Sequence, residues 1–186
     1  MRRRRKPRLF SFPYEVELSH FDGVITDPEG RKVLRGVLEA FIEIAHNKRV
    51  TESSLGLIVA AARHRDPQLR GLATLRLTVL CHYFQEAVDE LALLCGDIDP
   101  ETRLFVAPML ANTPNGVCVP LVQHLLEDED WRVRKAAALV GTAVPIPELL
   151  AIFSRRIARE RDARVRVVLQ IALDFQRRQS PRGDVG

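Results

Sequence analysis

Aromatic residues are scarce in this 186-residue chain, 6% in all with one Trp, so Ala, Val, Leu and Ile fill the apolar quota. That aliphatic balance favours helices packed on helices. Cysteine is limited to Cys81, Cys95 and Cys118, with no C-x-x-C and no His/Cys cluster. A structural zinc site is therefore not expected, and buried reduced thiols are. No apolar run approaches the ~18–20 residues of a membrane span. The opening Arg-Arg-Arg-Arg-Lys-Pro-Arg is like the start of an export signal, but Pro13 and Glu15 break the apolar stretch that follows. A soluble protein of the reducing cytoplasm is the expectation. Phosphate-binding glycine loops, H-E-x-x-H and G-x-S-x-G are also missing, and the five His residues are scattered. No catalytic residue, metal or cofactor is expected.

What is present is ordinary for a globular chain: 46% hydrophobic and 28% charged residues exclude wholesale disorder. The net charge of +4 describes no part of the molecule. Residues 1–8 carry +6 and residues 150–186 carry +5, whereas 9–149 carry −7. The chain reads as an acidic body with two basic ends.

A repeat organises that body. Asp-x-x-x-Arg recurs as Asp66/Arg70, Asp99/Arg103, Asp130/Arg134 and Asp162/Arg166, with successive Asp residues 33, 31 and 32 positions apart. Offsets +3, +6, +7 and +10 from each Asp are largely apolar, as in Leu69, Leu72 and Ala73 or Val133, Ala136 and Ala137. These offsets line one face of a helix. Asp is a favoured N-cap, and Pro67 and Pro100 suit the first helical position, so a helix is predicted to begin at each Asp. A second apolar helix precedes each one, which gives units of helix, tight turn and helix. A pair of this kind cannot bury its apolar face alone, whereas stacked pairs share a core.

Asp27-Pro28-Glu29-Gly30-Arg31 is a possible fifth copy, 39 residues before Asp66. Ahead of it, Tyr14, Val16 and Leu18 alternate with polar residues in a strand pattern, so a hairpin over 14–33 competes with an irregular cap. The preferred division is a basic, disordered tail over 1–12 and an irregular cap over 13–30. A repeat array follows over 31–176, starting with a helix near 31–47, and then a flexible tail over 177–186.

On Asp66-Pro-Gln-Leu-Arg70, Asp99-Pro-Glu-Thr-Arg103, Asp130-Trp-Arg-Val-Arg-Lys-Ala-Ala137 and Asp162-Ala-Arg-Val-Arg166, the chain resembles HEAT-repeat proteins of the short bacterial, armadillo-like type. The likeness spans about residues 50–176, and Pro108 interrupts one second helix. It implies an all-α fold, a right-handed superhelix of about four to five helical hairpins with second helices lining a concave face. It also implies that Asp66, Arg70, Asp99, Arg103, Asp130, Arg134, Asp162 and Arg166 form a structural ladder of charges. Function then follows as an expectation: a non-enzymatic scaffold that binds a protein partner through its concave face and basic ends. Trp131, Arg132, Lys135, Arg155, Arg156, Arg159 and Arg164 are the candidate contacts. Nucleic acid held by the Arg clusters is the alternative. A DNA glycosylase or lyase built on the array ranks last, since the chain offers one Trp and an acidic centre where such enzymes use several aromatics.

Overall fold

The capping logic of the sequence is visible at every second helix. In the computed structural model, which describes residues 14–22 and 24–179, ten α-helices and one 3-10 turn follow one another, and no strand occurs among the described residues. The protein is all-α. Helices α1 (Tyr14–Asp22), α2 (Pro28–Asn47), α3 (Glu52–Ala62) and α4 (Pro67–Leu80) come first, followed by α5 (Gln85–Cys95), α6 (Pro100–Met109) and α7 (Asn115–Leu125). The last three are α8 (Trp131–Ala143), α9 (Leu149–Ile157) and α10 (Ala163–Gln179). Asp27, Asp66, Asp99 and Asp130 each stand in extended backbone at the N-cap of α2, α4, α6 and α8, and each side chain accepts an N–H of the first turn. Asp162 accepts the Arg164 N–H at 2.9 Å in the same way before α10. Each cap satisfies donors that no helical carbonyl can reach.

The N-terminal segment differs from the expectation. Tyr14–Asp22 is helical, neither an irregular cap nor one arm of a hairpin, and α2 starts at Pro28. The period-2 alternation is only five residues long and loses to helix packing, because α1 lies against α2. At the other end, α10 runs on to Gln179 where a tail was expected from 177. The basic run Arg2–Arg8 and residues 180–186 lie outside the described residues.

Two compact units divide inside α5, after Leu91. In the first, α2 packs on α1, α3 and α4. Leu34, Val37, Leu38, Phe41 and Ile44, spaced by three and four, are nearly fully buried. Each such side chain adds ~1.5–3 kcal/mol relative to exposure. The Arg76 guanidinium of α4 lies 4.9 Å from the centre of the Phe41 ring. Burial also holds the Cys81 thiol un-ionised, its pKa pushed up to about 12, and it donates to the Ala87 carbonyl.

In the second unit, the second helices form a row, with α8 between α6 and α10 and with α7 and α9 behind. Val106, Val133, Ala137, Val165 and Leu169 are fully buried along it. Pro108 has no N–H to continue the α6 ladder, and the chain passes at Met109 into a 3-10 turn, Leu110–Asn112. Buried Gln176 ties α10 to the end of α8: its Nε2 donates to the carbonyls of Gly141 and Val144, and its Oε1 accepts the Ile146 N–H. A buried amide with both ends satisfied fixes the α8–α9 connection.

Candidate functional site

The turns set the register of the second helices. Two residues before four of the capping Asp residues, an acceptor takes that Asp's own N–H: His64 Nδ1, Asp97 Oδ1, Asp128 Oδ1 and Glu160 Oε1, all at 2.9–3.0 Å. In four of the five Asp-x-x-x-Arg copies the Arg then reaches back six residues to a turn carbonyl. Arg31 donates to Ile25, Arg70 to His64, Arg103 to Asp97 and Arg134 to Asp128. Arg31 thus repeats the pattern as a fifth copy would.

The motif's Arg therefore does not pair with its own Asp, which is occupied as a cap. In the second unit its remaining nitrogens go forward, to the acid of the following turn. Arg103 holds Asp128 through two bonds of 2.6 and 2.9 Å, and Arg134 holds Glu160 through two of 3.0 and 3.1 Å. The acceptor side chains are 7% and 1% exposed. Burial by itself raises the Glu160 carboxyl, but bonds from Arg134 and the Asp162 N–H, with the Arg156 charge, outweigh it and hold the pKa below the usual value. The bond to Asp128 raises the pKa of Arg103. Arg166 occupies the same offset in α10; it is exposed, with no side-chain bond among the described residues.

Most of the candidate contact residues are engaged in similar ties. Arg132 grips its capping Asp130 and crosses to Glu101 on α6 at 2.7 Å. Arg164 grips Asp162 and lies 3.3 Å from the centre of the Trp131 ring, close enough for cation–π attraction. The Arg bonds depress both acids, Asp162 to about 2. Arg156 is divided between Glu160 at 2.7 Å and Glu127 at 3.5 Å, and Arg159 also reaches Glu127. Of the seven candidates, only Arg155, exposed, and Lys135, half-buried, have no such tie among the described residues.

Lys135 sits in a different environment. Offsets +2, +5 and +9 from each capping Asp differ by three and four, so they share one face of the second helix. On α6, α8 and α10 that face carries Glu101, Leu104 and Pro108; Arg132, Lys135 and Leu139; and Arg164, Val167 and Ile171. The +2 row is the tied charged row just described. Below it, Leu104 is half-buried, Pro108 is exposed, and Leu139, Val167 and Ile171 are 41%, 59% and 52% exposed. Together they form an apolar strip spanning three helices, with Lys135 at its centre. Sequence reasoning missed its apolar members. The available signal was apolar residues at +9, a position outside the core offsets.

The first unit has a separate groove of about 740 Å³ between α2 and α3, lined by Arg31, Lys32, Arg35, Leu57 and His64 among others. No helix among the described residues is long and apolar enough to cross a membrane.

Residues 88–174 match the family model of HEAT repeats, the stretch that contains the whole strip and the ladder from Asp99 to Arg166. Such repeats generally form helical scaffolds for protein interaction and are typically non-catalytic. No curated protein matches the chain.

Proposed function

Because the chain is a HEAT-repeat protein, we propose that it is a non-catalytic scaffold that holds a protein partner on the strip-bearing face of α6, α8 and α10. The apolar strip of Leu104, Pro108, Leu139, Val167 and Ile171 around Lys135 carries this reading. Exposed aliphatic surface gathered on one face, with the core saturated behind it, favours burial against another protein. The strip consists of side chains on rigid helices that are locked to one another through Arg132, Arg134 and Arg164. A partner would meet a preformed surface and would not have to order it.

The Arg cluster of α9 lends less to an anionic ligand than its sequence suggests, since Glu127 and Glu160 neutralise Arg156 and Arg159. A photo-crosslinking residue placed at Leu139 in the cell tests the proposal, with exposed Ser154 of α9 as comparator. A protein adduct at Leu139 and none at Ser154 is the expected result. Equal capture at both sites, or binding only to nucleic acid with a steep salt dependence, would overturn it.

A further inference from the structure

Resting on that reading, we infer that the strip-bearing face of α6, α8 and α10 takes an amphipathic α-helix bearing an acidic residue opposite Lys135. The spacing of the strip comes first. Neighbouring packed helices lie ~8–10 Å apart, so Pro108, Leu139 and Ile171, at one offset on three successive helices, mark three points at about that interval. Seven residues of α-helix advance ~10.5 Å, and a helix lying across the row can set apolar residues i, i+7 and i+14 on those three points. Its residues at i+3 or i+4 then fall toward the row of Leu104, Lys135 and Val167.

Backbone chemistry selects the helix over an extended segment. An extended peptide brings N–H and C=O groups that need partners where water is displaced. This face offers almost none. Glu101, Arg132 and Arg164 are committed to one another, to Asp130 and Asp162 and to Trp131, and the Thr142 hydroxyl donates to the Leu139 carbonyl. Apart from Lys135, the remaining surface is Leu, Pro, Val and Ile. A helix satisfies its own backbone and presents only side chains.

Charge then fixes one position. Lys135 is half-buried in the middle of the strip, with no ion pair among the described residues, and covering it by an apolar surface would strand its ammonium. A carboxylate from the incoming helix removes that cost.

A displayed library of random 20-residue peptides, selected on the full chain and counter-selected on the Leu139→Asp variant, tests this. Ile171→Asp serves as the second variant, and thermal melts confirm that both are folded. Enriched peptides are expected to show apolar residues at seven-residue spacing with an excess of Asp and Glu. They should bind Lys135→Glu about tenfold more weakly, and exchanging the peptide's acid for Lys should recover the loss on that variant. Leu139-dependent peptides with alternating or three-residue spacing, or with no acidic preference, overturn the helix inference and leave the scaffold reading standing. No peptide sensitive to either Asp variant overturns both.

Discussion

Gly56 in α3 and Gly141 in α8 both sit inside helices, yet an added methyl group would meet opposite surroundings. At Gly56 nothing lies within 4 Å, whereas at Gly141 a Cβ would stand 2.1 Å from Cε2 of Phe153 and 3.1 Å from the Ala172 Cβ. The two residues show how differently the units fill space. Gly141 is at offset +11 of its repeat, where the others carry Leu77, Leu110 and Leu173, all buried. In α8 the missing side-chain volume is supplied from the first helix of the next hairpin, by the fully buried ring of Phe153. Close packing requires the space to be filled but leaves open which helix fills it. The turns differ in the same sense: His64 and Glu160 both accept the N–H of the following Asp, but only Glu160 is also the buried counter-ion of an Arg.

The largest effect expected from this contrast is at Glu160. Glu160→Ala leaves Arg134 and Arg156 without their shared carboxylate and should cost ~3–5 kcal/mol, read by urea unfolding. His64→Ala, which removes the side-chain acceptor of one backbone N–H and no Arg counter-ion, should cost ~1–3 kcal/mol at most. Equal losses would erase the distinction between the turns.

Gly141→Ala comes next. Helix propensity alone would make it stabilising by ~1 kcal/mol, but overpacking against Phe153 should make it destabilising by ~1–3 kcal/mol. Gly56→Ala should follow propensity and raise stability by ~0.5–1 kcal/mol. Pairing Gly141→Ala with Phe153→Leu should recover part of the loss. Failure to do so would mean that the ring is not what occupies the missing volume.

Acid supplies a smaller and graded test. The carboxyls held below their usual pKa values, Asp130, Glu160 and Asp162, all lie in the second unit. Such groups bind more protons unfolded than folded, so their contribution is complete above the unfolded values of ~4. It is lost as pH falls toward the folded values, about 2 for Asp162. Melting temperature should be level above pH ~5 and drop between pH ~4 and ~2, with amides of α8 and α10 the first to lose exchange protection. Arg166→Ala should have the smallest effect, within ~0.5 kcal/mol, because this Arg is exposed and has no side-chain bond among the described residues. A loss near that of Arg134→Ala would show that the ladder continues past α10.

The all-α class, the helix starts and the period of the repeat were legible in the linear order of residues because they rest on local physics. An Asp side chain caps N–H groups two and three residues ahead, and apolar residues three and four apart must share a helix face. The N-terminal helix was not legible, since its short alternation is overruled by packing on α2. Of the candidate site, Lys135 was among the contacts read from the sequence, whereas the apolar residues around it left only the signal at +9, because their exposure depends on tertiary packing.

Which acid each ladder Arg takes depends on groups 25–26 residues away, as in Arg103–Asp128 and Arg134–Glu160. Whether Arg132, Arg156 and Arg164 remain available to a ligand depends on Glu101, Glu127 and Trp131, which only the stacking of α6, α8 and α10 brings near. The residues themselves determine where helices begin and which face is apolar. Tertiary structure decides which charges are neutralised and which apolar side chains stay exposed, because both depend on neighbours a full repeat away in the chain.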